Sequence, residues 1–304
     1  MTQATRRLAG TILASGARCV AFLGLAKNVG KTTALVAALE ELHREGRIAG
    51  VTSAGRDGES IDAITGEPKP RFRVWPGQRL ASASSTYASA SFPTAVVEPL
   101  PFPTRFGPVE VRLAQGEGEI EMIGPSTASQ MGAAADALRR AGAEIVLVDG
   151  AIGRRAFASA RIADGLVLAV GLAAGSSSAA ALAAAQSAVD LIRLAPPDPG
   201  ASVRPVDGAL TALSLRDAAP RAGETLVVDD FTSVFLSDEE RRSLRRAGVG
   251  LAVRRPARLL AITVNPTAPA RPPADPARFF ASVRDAFPGV AAFDLVADLR
   301  STPT

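Results

Sequence analysis

The sequence predicts an α/β fold of the doubly wound type, with a mostly parallel β-sheet between two layers of helices. Three nearly continuous apolar runs, 19–23, 144–149 and 165–170, have the composition of strands buried on both faces. Segments of helical periodicity alternate with such strands, as a parallel sheet requires. The 304 residues contain no internal repeat and no long linker, so we predict one domain over 1–304 with a β-rich insertion at about 60–125.

The first strand runs into a glycine-bounded turn and then a helix. We call residues 24–30 the glycine loop; with the residues that follow it reads Gly-Leu-Ala-Lys-Asn-Val-Gly-Lys-Thr-Thr. This is the strand–loop–helix order of a phosphate-binding loop, although five residues separate Gly24 from Gly30 where the usual pattern has four. We predict that a nucleotide is bound by Lys27, Asn28, Val29, Gly30, Lys31, Thr32 and Thr33.

Backbone N–H groups of residues 28–32 are expected to surround an anion at the positive end of the helix dipole. Lys31 is predicted to be catalytic, because its ammonium can reach the β- and γ-phosphates. The Thr32 hydroxyl is predicted to be a Mg²⁺ ligand. The alternative is a chance Gly-Lys-Thr at a helix start, which the preceding strand and the following helix disfavour.

The balance of charges and the rare residue types exclude several functions. The 34 Lys and Arg against 30 Asp and Glu leave a net charge of +4, without a basic stripe interleaved with aromatics, so we predict no nucleic-acid binding. One Cys and one His exclude a zinc site, a disulfide framework and a Cys–His nucleophile pair. We expect Cys19 to be a small core residue and His43 to be a helix-flank side chain.

The N-terminus superficially resembles a twin-arginine export signal, because Arg6 and Arg7 precede an apolar stretch. Glycine and serine interrupt that stretch, so we interpret 6–15 as a short leading helix. No apolar run reaches the roughly 18 residues needed to cross a membrane. We therefore expect no membrane association and a cytoplasmic location.

A polar, glycine-rich loop follows the second predicted strand, 48–52. Asp57 lies in this loop between Gly55 and Gly58. We predict that its carboxylate is catalytic, by orienting an attacking water, and that it also contacts Mg²⁺. The alternative is an Asp-Gly turn without further function.

Residues 60–125 change character, because Pro, Ser and Gly are frequent and no helical period persists. Short strands are predicted at 71–75 and 78–83, and the residues around Gly116 and Gly118 predict a hairpin between 109–113 and 119–123. The exposed edges of this insertion, with Trp75 and Tyr87, are a candidate partner or substrate surface. A subdomain that only covers one sheet edge is the alternative.

The remaining chain continues the alternation of helices and strands, and we expect all of its strands in one sheet. A Ser-Asp-Glu-Glu capping box predicts a helix start at Ser237, and Asp275-Pro276 predicts the start of the last helix. The other predicted helices are 31–46, 126–142 and 178–194. The other predicted strands are 144–149, 165–170, 225–228, 259–264 and 290–293.

Two further polar residues end predicted strands. Asp149 closes a buried run, and a carboxylate at the carboxyl end of a parallel strand can hold Mg²⁺, directly or through water. Asn265 follows the strand 259–264, and its amide can donate to and accept from a purine edge. Each residue also suits an ordinary turn, before Gly150 and Pro266 respectively.

Together, the glycine loop, Asp57, Asp149 and Asn265 resemble the class of P-loop NTPases, called SIMIBI, that includes dethiobiotin synthetase and the MinD-like ATPases. Segments 24–33, 52–59, 69–71, 124–131 and 148–159 resemble, in order, the small reactivase subunit of lysine 5,6-aminomutase (KamB); residues 264–266 match more loosely. Membership would imply a P-loop NTPase fold and an ATPase. With a MutS-like partner subunit, it would restore an adenosylcobalamin-dependent aminomutase by exchanging damaged cobalamin.

Three functions remain open at this point. One is a Mg²⁺-dependent ATPase that acts as a reactivase or switch with protein partners. Another is a ligase of the dethiobiotin synthetase kind, which phosphorylates a small carboxylate held near Lys27 and Asp57. The third is a nucleotide-binding scaffold without hydrolysis. ATP and GTP are both compatible with the sequence, and a homodimer is a further expectation from the MinD-like resemblance.

Overall fold

The computed structural model describes residues 7–54, 71–150, 155–267, 275–295 and 297. Within them the helices are α1 (Leu8–Ala14), α2 (Lys31–Arg44), α3 (Ser84–Ala88), α4 (Ala128–Arg140), α5 (Ser178–Ile192), α6 (Ala212–Ala218), α7 (Asp238–Arg246) and α8 (Pro276–Ala286). The strands are β1 (Cys19–Gly24), β2 (Ala49–Ser53), β3 (Phe72–Val74), β4 (Arg79–Ala83), β5 (Thr94–Thr104), β6 (Gly107–Ala114), β7 (Gly118–Ile120), β8 (Ile145–Asp149), β9 (Gly165–Gly171), β10 (Ser202–Pro205), β11 (Glu224–Val228), β12 (Gly250–Val253), β13 (Leu259–Asn265) and β14 (Ala291–Asp294).

A nine-stranded sheet forms the centre of the molecule, in the order β14-β13-β9-β1-β8-β2-β4-β6-β5. The seven strands from β14 to β4 pair in parallel, whereas β6 and β5 are antiparallel and form one edge. The prediction of an α/β fold with a mostly parallel sheet is therefore confirmed.

Helices cover the central strands of this sheet from both sides. Along β1, Cys19, Ala21 and Leu23 pack in a core that includes buried residues of α4, α5 and α8. The alternate residues Val20 and Phe22 pack in a second core with α1 and α2. Because successive strand residues point to opposite faces, the apolar run of β1 serves both cores at once. This arrangement is compatible with the predicted doubly wound fold.

Helix starts follow the capping residues that the sequence provides. The Ser237 hydroxyl accepts a hydrogen bond from the Glu240 amide at 3.2 Å, and the Glu240 carboxylate accepts one from the Ser237 amide at 2.7 Å. The Asp275 carboxylate caps α8 by accepting a hydrogen bond from the Arg278 amide at 3.2 Å, and Pro276 occupies the first helical position. Both predicted starts are confirmed.

The insertion joins the main sheet instead of forming a separate hairpin. Strand β4 extends the parallel part beside β2, and β5 and β6 form the observed hairpin. The predicted hairpin between 109–113 and 119–123 is wrong, because β7 pairs with β3 in a small two-stranded sheet. The outer strand β5 contains Pro99, Pro101 and Pro103, and its pairing with β6 shifts register twice.

The two large aromatic rings of the insertion are buried, which contradicts their predicted place on a partner surface. Trp75 and Tyr87 are each 6% exposed. Trp75 stacks on His43 of α2 with 5.6 Å between ring centroids. The Tyr87 hydroxyl donates to the carbonyl groups of Leu80 and Glu110 at 2.8 and 2.9 Å. These contacts tie the insertion to the body of the fold, and burial raises the pKa of Tyr87.

A second parallel sheet, β10-β11-β12, lies apart from the main one, so the expectation of a single sheet is wrong for strand 225–228. Its buried residues Leu226 and Val228 join the core that contains α4, α5 and α8.

Just after β11, the buried Asp230 connects this small sheet to the segment that follows β8. Its carboxylate accepts hydrogen bonds from the Ser159 hydroxyl, from the Ala160 amide at 3.2 Å, and from the amide and hydroxyl of Thr232 at 2.8 and 2.5 Å.

Two other expectations concern reactivity and membranes. Cys19 is fully buried, and burial raises the pKa of its thiol to about 12, which agrees with its predicted place in the core. In the part of the chain that the structure describes, no helix combines the length and apolar character needed to cross a membrane.

Candidate functional site

The parallel pairing of β1, β8 and β2 brings three predicted features to one edge of the sheet. Asp149, at the end of β8, is in register with Phe22 of β1 on one side and with Ser53 of β2 on the other. The Ala54 amide donates to the Asp149 carbonyl at 2.9 Å, which fixes the point where the chain leaves β2. The carboxylate of Asp149 therefore lies between the glycine loop and the exit of β2, as the sequence predicts.

The backbone of the glycine loop has two residues in the left-handed region. Asn28 has a φ of 60° and Gly30 a φ of 85°, the latter as the N-cap of α2. Asparagine and glycine are the residues that adopt this conformation at least cost. The Gly30 carbonyl then accepts the first helical hydrogen bond, from Ala34 at 2.8 Å. The loop thus turns sharply enough for α2 to begin directly at Lys31.

One residue of the loop turns inward. Val29 is 1% exposed, whereas Lys27 and Asn28 on its N-terminal side are exposed. A Cβ atom at Gly24 would lie 2.9 Å from Val29 Cγ2, and one at Gly171 would lie 3.0 Å from Val29 Cα. Only glycine at the ends of β1 and β9 leaves room for this valine, which anchors the loop to the sheet.

Lys31 reaches from the start of α2 to Asp149. Its ammonium forms an ion pair with Asp149 Oδ1, while the Ser53 hydroxyl donates to Oδ2 at 3.4 Å. The side chains of Lys31 and Asp149 are 18% and 8% exposed, so the pair lies in a partly dry recess. A cation, a carboxylate and the N-terminus of a 14-residue helix thus meet at one place.

Asn265 lies beside the loop, at the end of β13. Its Nδ2 group donates to the Asn28 carbonyl at 3.2 Å, and its Oδ1 accepts from the amide and hydroxyl of Thr267 at 3.1 and 2.7 Å. Asn265 therefore lies next to the glycine loop, and the contact that its amide makes here is with the loop backbone.

A Mg²⁺ ion is compatible with the donors present. Mg²⁺ keeps several waters and takes one or two carboxylates plus phosphate oxygens, so it needs no dedicated protein cage. Asp149 offers a buried carboxylate, and Thr32 follows Lys31 at the helix start, half-buried. The described residues contain no cluster of three or more His, Cys, Asp or Glu side chains that would hold a metal by itself. Asp57, the third predicted ligand, lies outside the described residues.

Two features of the site were not assigned from the sequence. Ser53 contacts Asp149, and Gly171 accommodates Val29, but both lack a motif of their own. Strand register alone identifies them. A compositional signal was also present, because the chain contains only three lysines among its 34 basic residues, and two of them, Lys27 and Lys31, lie in or next to the glycine loop.

Asp149→Asn is expected to weaken Mg²⁺-dependent nucleotide binding, because it removes the charge while keeping the shape. Loss of a group that supports a metal typically costs 10–100-fold in metal affinity, so we expect the Kd for Mg²⁺-ATP to rise by about tenfold or more. The Kd in EDTA should change little. Titration calorimetry in both conditions measures the difference, and an equal loss in both would make Asp149 a purely structural residue.

Comparison with known protein families, characterised proteins and solved structures finds no match to this chain.

Proposed function

We propose that this chain binds a Mg²⁺-nucleoside triphosphate at the edge of the sheet where Lys31 meets Asp149. The observation that carries the proposal is this ion pair, because it sets a phosphate-binding cation and a metal-binding carboxylate side by side at a helix N-terminus. A fixed turn with two left-handed residues leads into that helix. Such an arrangement suits an anion that carries its own divalent cation.

Each part has a distinct role in the proposed complex. The backbone N–H groups of the glycine loop face the phosphates, and Lys31 leaves Asp149 for the β- and γ-phosphate oxygens. Thr32 and Asp149 hold the bound cation, with Ser53 keeping the Asp149 carboxylate oriented. The Mg²⁺ supplies charge neutralisation at the phosphates when it is bound. Lys27 and Thr33, both exposed, flank the triphosphate.

In full, we propose that the chain has a P-loop NTPase fold and hydrolyses ATP or GTP. Its role is that of a reactivase component, working with a MutS-like subunit on an adenosylcobalamin-dependent aminomutase of the lysine 5,6-aminomutase type. The support for this finer part is the sequence resemblance over 24–159. The Lys31–Asp149 pair supports the nucleotide part independently.

Two measurements test the proposal. Mg²⁺-ATP at about 100 times its Kd should stabilise the folded chain by about 2.7 kcal/mol, observed as a rise in melting temperature. Phosphate release should be slow for the chain alone and faster with the MutS-like subunit. Turnover that requires a small carboxylate would instead indicate a ligase, and binding without any phosphate release would indicate a scaffold.

Asp57→Asn is expected to separate binding from hydrolysis. If this carboxylate orients the attacking water, the variant should bind Mg²⁺-ATP with near-normal affinity but hydrolyse it about 10²-fold more slowly, a barrier increase of about 2.7 kcal/mol. Single-turnover phosphate release measures the rate. A rate equal to that of the unmodified chain would reduce this Asp-Gly sequence to a turn.

A further inference from the structure

We propose that Asn265 is a positioning residue: it holds the glycine loop in its anion-binding shape and so sets the affinity for the triphosphate, whatever base is attached. This inference rests on the proposed function. It replaces the predicted contact with a purine edge by a contact to the loop backbone.

The hydrogen bonds of the Asn265 amide are nearly all used. Oδ1 accepts two, from the amide and the hydroxyl of Thr267, and Nδ2 donates one to the Asn28 carbonyl at 3.2 Å. An asparagine amide has two acceptor sites and two donor hydrogens, so one N–H remains. Pairing with a purine edge needs a free donor and a free acceptor at once, and Oδ1 has no acceptor site left.

The contact falls at the most constrained part of the loop. Asn28 holds a φ of 60°, a conformation that is less favourable for asparagine than for glycine, although asparagine tolerates it better than most residues. The Asn265 side chain also packs on the next turn residue, because a Cβ atom at Gly30 would lie 3.3 Å from Asn265 Cβ. Asn265 therefore touches both left-handed residues, Asn28 through a hydrogen bond and Gly30 through packing.

The neighbouring strand supports the same part of the loop. Gly171, at the end of β9, pairs with Asn265 in the sheet, and a Cβ atom added to it would lie 3.0 Å from Val29 Cα and 3.2 Å from the Asn265 carbonyl oxygen. Strands β9 and β13 thus hold three successive loop residues, 28–30, from one side.

A consequence follows for binding. The loop N–H groups can converge on an anion only while the backbone keeps its left-handed turns, and a loop fixed beforehand loses less entropy when the anion binds. Releasing Asn28 should therefore weaken the binding of the phosphates themselves. The base, which this contact does not involve, should not change the size of the effect.

The test is calorimetry on the full chain with three probes: Mg²⁺-ATP, Mg²⁺-CTP and Mg²⁺-tripolyphosphate. For Asn265→Ala we expect the Kd of all three to rise by the same factor, about five- to tenfold, as the loss of one hydrogen bond implies. The ratio of the CTP and ATP dissociation constants should remain that of the unmodified chain. Gly171→Ala, whose Cβ would crowd Val29 and the backbone carbonyl oxygen of Asn265 while the Asn265 side chain stays in place, should give the same pattern.

Other outcomes overturn the inference in recognisable ways. If Asn265→Ala weakens the binding of ATP alone and leaves the Kd of tripolyphosphate unchanged, Asn265 contacts the base. If none of the three affinities changes while the melting temperature shows a folded chain, the contact with Asn28 has no role in binding. If the unmodified chain binds none of the probes, the proposed function fails first, and the inference fails with it.

Discussion

Lys31→Ala is expected to abolish nucleotide binding while the chain stays folded. The ammonium forms an ion pair with Asp149, and the next four residues of α2, 32–35, carry no charge. In the variant, the protein would supply no cation to offset the repulsion between the γ-phosphate and the Asp149 carboxylate. We expect a loss of affinity for Mg²⁺-ATP of at least about 10²-fold, and phosphate release below detection.

Calorimetry and phosphate release measure this effect, and the thermal shift separates it from unfolding. The variant should stay folded without nucleotide, because Lys31 is partly exposed and lies outside both cores, although the loss of its ammonium leaves the Asp149 carboxylate without a cation and lowers the melting temperature. Arg44→Ala is the matched control on the same helix, since Arg44 pairs with Glu40 on the outer side. A nucleotide-induced melting shift that survives unchanged in Lys31→Ala would refute the assignment of the glycine loop.

The largest effect on stability is expected from Asp230→Ala. The substitution would leave two hydroxyl and two amide donors, from Ser159, Ala160 and Thr232, without their shared acceptor inside the protein. Buried donors without partners cost about 1–3 kcal/mol each, and partial relaxation reduces the sum, so we expect a loss of about 3–5 kcal/mol in the free energy of unfolding. Urea unfolding monitored by circular dichroism measures it.

The neighbouring residue provides the control. Asp229 pairs with Arg161 and Arg255 near the surface, and the hydrogen bond from Arg161 lowers the pKa of this carboxyl group. Asp229→Ala should cost less than about 1 kcal/mol, because exposed ion pairs contribute little. Equal losses for both variants would mean that Asp230 has no special place in joining the small sheet to the rest.

The strands around the site could be predicted because short, continuous stretches of the sequence identify them. A continuous apolar run identifies β1 and β8, since both faces of these strands are buried, and the carboxyl ends of parallel strands meet at one edge. The sequence did not predict the ion pair of Lys31 with Asp149, because that contact also depends on β1 and β8 being neighbours in the sheet. The position of Asn265 at the end of a strand followed from the apolar run before it, but the partner of its amide did not.

Strand partners in the rest of the chain depend on contacts that no short pattern encodes. Strand β11 ends in three buried apolar residues, yet it pairs with β10 and β12, two short and partly exposed strands, and not with the main sheet. In the insertion, glycine pairs around Gly116 suggested a hairpin, but β6 had a longer partner in β5. Tertiary pairing outweighed the local turn signal in both places.

The outer strand β5 has a consequence for how this protein can associate. Proline has no N–H to donate, so Pro99, Pro101 and Pro103, together with the two register shifts, interrupt the row of hydrogen-bonding groups that an incoming strand would need. The exposed apolar side chains of Val96 and Val97 would otherwise favour the pairing of this edge with a strand of another molecule. The prolines thus protect the second half of β5 against edge-to-edge strand pairing, and we expect two copies that associate to meet through another surface.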